Sequence, residues 1–228
     1  MIYLLNIETA TTVCSVSISN NGELIFSREL NEGFTHAENL HLFIEQGLKE
    51  SGIKAKDLSA IAVSKGPGSY TGLRIGVSTA KGLAYALNIP LISIDTLQLM
   101  AFAAFEQVQE EAFYCPMIDA RRMEIYTAVY DWKLNSQSAV EALIVDENSS
   151  TKFNAYSKIY YLGDGMPKCK SLLETRSNAA FIENIYPSAK NMVKLTFNKF
   201  QAKTFENLAY FEPFYLKDFM ILKKKDKI

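Results

Sequence analysis

The chain is poor in the residues that mark disulfide-bonded, membrane-spanning and strongly RNA-binding proteins. Among its 228 residues there are three cysteines, Cys14, Cys115 and Cys169, and no pair has C-x-x-C spacing. An odd number of widely separated cysteines excludes a disulfide framework and a cysteine-rich metal motif. We therefore predict three reduced thiols.

Positively and negatively charged residues are nearly equal in number. Lysine and arginine number 24 against 25 aspartate and glutamate residues, a formal net charge of -1. Such a chain has no overall positive field to hold an RNA backbone, so any RNA would be held largely by a partner. Lys223, Lys224, Lys225 and Lys227 form a short basic tail, a pattern more typical of a solvated terminus.

Long hydrophobic runs are missing as well. No apolar run approaches the roughly 18 residues that span a membrane. Residues 1–6 are apolar and strand-like, with neither a basic leader nor a small-residue cleavage site. These absences predict a cytoplasmic protein without membrane contact.

Histidine is scarce too. His36 and His41 are five residues apart on a predicted helix, which places them on different faces, whereas ligands of one metal ion are usually three or four apart. No serine or cysteine lies in a nucleophile-elbow pattern. The sequence therefore predicts no metal site and no catalytic residues.

Hydrophobic patterning in the first half predicts strands that alternate with helices. We expect strands at residues 2–7, 13–19, 23–30, 60–63 and 90–94, and helices at 35–51, 70–87 and 96–110. A three-strand meander followed by helix, strand, helix and strand is typical of a mixed sheet covered by helices.

The second half begins in the same way. Strands are predicted at residues 113–119, 124–130, 139–145 and 158–162, and a helix at 189–210. A carboxylate closes the first strand of each half, Glu8 and Asp119, which is a weak repeat signal. We predict two lobes: residues 1–109 with a linking helix, and residues 110–228 with the basic tail.

Residues 65–76, Lys-Gly-Pro-Gly-Ser-Tyr-Thr-Gly-Leu-Arg-Ile-Gly, form a glycine-rich turn that enters a helix but lacks the Gly-Lys-Ser/Thr of a Walker loop. Gly72, Gly76, Thr79 and Leu83 share one helical face, so another element can approach the backbone there. That element is either this chain's own sheet or first helix, which spacing alone favours, or a partner helix.

Glu8 and Thr9 stand at a strand end, with Thr11 and Thr12 in the following turn. An acid beside hydroxyl groups and amides is a pattern that can hold a Mg²⁺-nucleotide. The alternative, a strand-end carboxylate that caps its own turn, is the more frequent structural role.

The chain resembles the bacterial TsaB (YeaZ) family of tRNA threonylcarbamoyladenosine biosynthesis proteins. The resemblance rests mainly on residues 66–76, supported by residues 6–9, 80–84, 119–122, 124–126, 163–165 and 213–217. It runs over most of the chain and is weak between residues 151 and 207. One departure is Glu8, which stands where the family usually has aspartate.

The resemblance implies an α/β, actin-like ATPase (ASKHA, ribonuclease H-like) fold of two tandem βββαβα lobes. It implies a non-catalytic accessory subunit that binds and activates the catalytic relative TsaD, beside a TsaE-type ATPase, with tRNA reached through the complex. The chain would form a homodimer when alone. No cofactor is expected for the chain itself, although ATP or ADP is possible at the complex interface.

The resemblance also implies site residues. The first two helices would form the partner interface, with contacts from Leu40, Phe43, Gly72, Leu73, Gly76 and Val77. Glu8, Thr9 and Gly163 are the candidate nucleotide-binding residues, and Thr96 and Met100 stand where TsaD has its two metal-binding histidines. The alternatives are a free-standing ATPase or sugar-type kinase of the same fold and, third, a peptidase.

Overall fold

The first sheet has the strand order expected from the meander. A computed structural model describes residues 1–33 and 35–217, so the predicted basic tail lies outside the described residues. The strands are β1 (Tyr3–Glu8), β2 (Cys14–Asn20), β3 (Glu23–Leu30), β4 (Leu58–Gly66) and β5 (Leu91–Asp95), in the order β3-β2-β1-β4-β5. β1 pairs antiparallel with β2 and parallel with β4, which makes the sheet mixed.

Three helices accompany this sheet: α1 (His36–Glu50), α2 (Tyr70–Leu87) and α3 (Thr96–Val108). The apolar stripe of α1 and the buried face of α2 pack on one side of the sheet, in a core that includes Leu40, Ile61 and Val77. α2 begins where the Ser69 hydroxyl accepts a hydrogen bond from Gly72 N (3.3 Å), and it ends at Asn88 in a left-handed conformation.

The second sheet repeats the first in order and direction. Its strands are β6 (Phe113–Asp119), β7 (Glu124–Thr127), β8 (Tyr130–Asp131), β9 (Glu141–Ile144), β10 (Ile159–Leu162) and β11 (Ala179–Ile182), in the order β11-β10-β6-β7-β9 with β8 beside β6. α4 (Met166–Leu173) covers one face, and α3 covers the other. Leu99 of α3 also reaches the core of the first sheet.

Several sequence predictions for the second lobe need correction. A 3-10 segment, Ser149–Ala155, stands where the first lobe has α1, so the βββαβα pattern is not fully repeated. The strand predicted at 124–130 is split into β7 and β8, and α4 and β11 were not predicted.

The last helix returns to the first lobe, and this corrects the predicted boundary. α5 (Ala189–Gln201) packs Ala189 and Met192 against the face of the first sheet opposite α1 and α2. At its start the Ser17 hydroxyl donates to Ala189 O (2.7 Å), and Ala189 N donates to Ser15 Oγ (2.9 Å). Position 110 therefore separates the two sheets, but α5 completes the first lobe.

The segment after α5 also crosses the first lobe. Phe211 is buried in the core shared with α1 and α2, and Phe214 N donates to Lys65 O (2.7 Å). The helix predicted to reach residue 210 ends at Gln201, and Lys203 adopts a left-handed conformation (φ 54°). Within residues 1–33 and 35–217, no helix has both the length and the apolarity needed to cross a membrane.

Candidate functional site

The carboxyl ends of the central strands meet at one edge of the first sheet, as the parallel pairing requires. The hydroxyl groups of Ser64 on β4 and Thr96 at the start of α3 lie 2.6 Å apart, and Gly66 N donates to Thr96 Oγ1 (3.2 Å). Thr96 therefore secures the end of β4. Met100 is fully buried in the core beneath α3. Neither side chain offers a metal ligand to solvent.

Glu8 ends β1 directly below this cluster and is fully buried. Its Oε1 accepts a hydrogen bond from Ala10 N (2.5 Å), while Oε2 has no partner with hydrogen-bond geometry among the described residues. Burial raises the pKa of Glu8 to about 7, against the smaller opposing influence of the nearby Ser64 hydroxyl and the Ala10 and Thr9 amides. The carboxyl group thus caps its own turn, in agreement with the alternative that the sequence left open.

The glycine face of α2 is filled by the same turn. The Thr9 hydroxyl donates to Gly72 O (2.8 Å). A Cβ at Gly72 would lie 2.1 Å from Thr9 O, and one at Gly76 would lie 2.2 Å from Thr9 Oγ1. The close approach for which the two glycines are needed is therefore made by this chain's own β1–β2 turn.

The packing places the six predicted interface residues inside this lobe. All six residues assigned to a partner are buried inside this lobe: Leu40, Phe43, Gly72, Leu73, Gly76 and Val77. They support α1 and α2 from beneath, so any partner that uses these helices must contact other side chains. An interface on α1 and α2 itself stays a prediction.

Other residues of the two helices do face solvent. Leu42 is 59% exposed and Tyr85 is 80% exposed, and a Cβ at Gly82 would meet no atom within 4 Å. The two histidines of α1 lie apart as predicted: His36 is buried, with Nε2 2.7 Å from Thr11 O, and His41 is exposed. Within residues 1–33 and 35–217, His, Cys, Asp and Glu form no group of three that could hold a metal ion.

The second lobe has an equivalent strand-end carboxylate, Asp119 of β6. Arg121 N donates to its Oδ1 (2.7 Å), and Lys168 of α4 donates to the same oxygen (2.5 Å). Lys168 Nζ also donates to the carbonyl oxygens of Arg122 (2.9 Å) and Glu124 (2.6 Å). The ammonium group therefore clamps the β6–β7 turn. Sequence reasoning missed Lys168, for which the only signal was its place just after the Gly163–Gly165 turn.

Gly163 is a packing residue of this lobe. It has φ 98°, and a Cβ there would lie 2.3 Å from Met117 O and 2.6 Å from Met100 Cε. Like Glu8 and Thr9, it is buried. A cleft of about 330 Å³ lies between the end of β3, α3 and the segment before α5, and none of the three predicted nucleotide-binding residues lines it.

We expect Lys168→Ala to lower the free energy of unfolding by about 2 kcal/mol, because three acceptors lose a charged donor. Lys170→Ala is the matched control on α4, since Lys170 makes an exposed ion pair with Glu183 (3.2 Å). Such a pair contributes about 0 to 1 kcal/mol. Urea unfolding of both variants measures the difference, and equal losses would contradict the clamp.

Comparison with known proteins gives matches whose names refer to tRNA threonylcarbamoylation. Residues 33–223 match the family model described as "TsaD: tRNA N6-adenosine threonylcarbamoyltransferase". The chain is similar to "tRNA threonylcarbamoyladenosine biosynthesis protein TsaB" of Haemophilus influenzae, with 40% identity over 123 residues, 54% of this chain and 51% of that protein. The protein of the same name from Buchnera aphidicola subsp. Schizaphis graminum is 29% identical over 203 residues, 86% of this chain and 93% of its own length.

The chain therefore spans about half the length of the Haemophilus relative. Among solved structures it is similar to "YeaZ from Pseudomonas aeruginosa", with a TM-score of 0.81 and 26% identity, over 95% of this chain and 100% of that one. This likeness, with the two sheets of equal strand order, confirms the predicted actin-like α/β fold.

Proposed function

Because the chain belongs to the TsaB (YeaZ) family of tRNA threonylcarbamoyladenosine biosynthesis proteins, we propose that it is a non-catalytic accessory subunit. The complex would add threonylcarbamoyl to the adenosine next to the anticodon in tRNAs reading ANN codons. In it the chain binds and activates a TsaD-type catalytic subunit, beside a TsaE-type ATPase, and meets tRNA through the complex. Without that partner it forms a homodimer.

The observation that carries this proposal is the use of both strand-end carboxylates within the chain. Glu8 accepts from the amide of its own turn, and Asp119 accepts from Arg121 N and Lys168. Amides that bind a phosphate in a nucleotide site must be free to donate. At both turns, donors are already committed to the protein, which favours a structural role over a free-standing kinase or ATPase. Any ATP or ADP would then bind at the interface with the partner.

The outer faces of α1 and α2 suit the proposed interface. They expose the large apolar side chains of Leu42 and Tyr85, while Gly82 leaves room for another backbone to approach. Exposed aromatic side chains such as that of Tyr85 are enriched at protein interfaces. We therefore move the proposed contact from the buried glycine face to this exposed one.

The direct test is tRNA threonylcarbamoylation in a reconstituted mixture of the catalytic subunit, the TsaE-type ATPase and a source of the threonylcarbamoyl adenylate. We expect modification only when this chain is present. Modification of equal rate without the chain would reject the accessory role. Modification by the chain in the absence of the catalytic subunit would reject the proposal that this chain is non-catalytic.

Gly82→Trp tests the interface. The indole would project from the exposed face of α2, and we expect at least tenfold weaker binding to the catalytic subunit, with the stability of the isolated chain little changed. Ala202→Trp, at the exposed end of α5, adds the same bulk elsewhere. Calorimetric titration of both variants with the catalytic subunit measures the two affinities. Unchanged affinity of Gly82→Trp would show that this face of α2 is not the interface.

A further inference from the structure

The turn between β6 and β7 carries two adjacent arginines in an unusual backbone conformation. Arg121 has φ 71° and Arg122 has φ 52°, and both side chains are exposed. A left-handed conformation costs an L-residue roughly 1–2 kcal/mol, and such strain persists where the surrounding structure fixes it. We call residues 120–123 the arginine turn.

The surrounding contacts fix the arginine turn from below. Lys168 donates to Arg122 O (2.9 Å), and Arg121 N donates to Asp119 Oδ1 (2.7 Å). Glu124 N donates to Arg121 O (3.2 Å), which closes the turn. The backbone is thus held by its own lobe, and the two side chains project from a rigid base.

The acids around the turn are already paired. Asp119 is bound by Lys168 at 2.5 Å, and Glu124 forms an ion pair with Lys217. Within the two described ranges, 1–33 and 35–217, neither Arg121 nor Arg122 has a carboxylate or hydrogen-bond partner for its guanidinium group. Among the described residues, the arginine turn therefore presents two positive charges without a paired acid, in a chain whose net charge is -1.

We propose that the arginine turn binds phosphate groups of the tRNA backbone, an inference that rests on the proposed function. A guanidinium group binds phosphate through two parallel hydrogen bonds, and such contacts position an RNA without reading its sequence. With no wider positive field, the turn supplies a local anchor for an RNA that the partner holds elsewhere. Met123, 46% exposed beside the arginines, adds an apolar surface for a base or ribose.

The test compares the wild-type complex with an Arg121→Asn/Arg122→Asn variant, because asparagine tolerates left-handed backbone better than other side chains. We expect tRNA affinity to fall about tenfold. The plot of log affinity against log salt concentration should become less steep by about 1.4, because each of the two lost phosphate contacts contributes roughly 0.7 to the slope. Lys56→Ala/Lys203→Ala removes the same charge from exposed positions away from the turn. Thermal unfolding of each chain checks the fold.

Unchanged tRNA affinity and salt slope in the asparagine variant would overturn the proposal. So would weaker binding to the catalytic subunit at unchanged tRNA affinity, because the turn would then contact an acidic protein surface. Failure of the wild-type chain to bind or stimulate the catalytic subunit would count against the proposed function instead. The same comparison on the chain alone, with tRNA at low salt, still tests the turn, and equal affinities of the two chains would reject it.

Discussion

Gly72→Ala lowers the free energy of unfolding by about 3 kcal/mol, at the upper end of the range for overpacking. The added Cβ would stand 2.1 Å from Thr9 O, a backbone atom, so no side-chain rotation can relieve the contact. The β1–β2 turn must move instead, and with it the hydrogen bond from the Thr9 hydroxyl to Gly72 O. Urea unfolding followed by circular dichroism measures the loss.

Gly82→Ala on the same helix is the matched control. It adds the same methyl group where no atom lies within 4 Å, so helix propensity alone acts, and stability should rise by up to about 1 kcal/mol. The two substitutions therefore have opposite signs. Similar stability of the two variants would show that the turn does not pack against α2 as described. Gly76→Ala should cost less than Gly72→Ala, because its Cβ would meet the side-chain atom Thr9 Oγ1 (2.2 Å), which can rotate away at the cost of its hydrogen bond to Gly72 O.

Glu8→Gln removes a fall in stability between pH 4.5 and pH 7. The pKa of Glu8 rises from 4.5 to about 7 in the folded protein because the side chain is buried. Between these values the unfolded chain loses the proton while the folded chain keeps it, so stability falls as pH increases. A pKa shift of that size lowers the free energy of unfolding by about 3 kcal/mol, and the full loss is reached above pH 7. Below pH 4.5 both states are protonated and the contribution of the neutral carboxyl group is complete.

The measurement is the free energy of unfolding of wild type and Glu8→Gln from pH 4.5 to pH 8. Their difference should grow by about 3 kcal/mol in favour of glutamine, which keeps an acceptor for Ala10 N. Other titrating groups are shared by both proteins and cancel. Glu38→Gln, at an exposed position of α1, controls for the loss of one negative charge. Parallel pH curves for wild type and Glu8→Gln would disprove a buried, proton-holding Glu8.

Local chemistry predicted the first sheet well. Between the strands predicted at residues 13–19 and 23–30, Asn21 (φ 52°) and Gly22 (φ 84°) adopt the left-handed conformations that a tight hairpin turn requires. Apolar runs indicated β1, β2, β4 and β5, which are almost entirely buried, whereas the edge strand β3 buries only Phe26. In this lobe, the spacing of apolar side chains along the sequence predicts which segments are helices and which are strands.

Prediction failed where elements of the second lobe are short and at the end of α5. β8 has two residues and β11 has four, too few for a period to show. α5 ends at Gln201 in a local cap: Lys203 adopts the left-handed conformation (φ 54°), and Thr204 N donates to Lys199 O (2.9 Å). No glycine or proline marks this helix end in the sequence.

At the candidate site, spacing identified the special positions but not their neighbours. The spacing of Gly72 and Gly76 predicted a close approach, yet only the folded chain shows that Thr9 makes it. Lys168 binds Asp119 across 49 residues of sequence, a pairing that no motif indicates. The resemblance gave an interface on α1 and α2, which stays a prediction, and the six side chains that it named are buried in this lobe.

The return of α5 sets the order in which the protein can be completed during synthesis. Ser15 and Ser17 emerge from the ribosome early, but their partner Ala189 is made more than 170 residues later. Until then one face of the first sheet, including Leu4 and Ile92, is covered only in part, by Leu99 of α3. The nascent amino-terminal half therefore exposes an apolar surface through most of translation. Chaperone binding to ribosome-stalled chains should be strong at residue 110 and be lost once residues 189–217 have emerged.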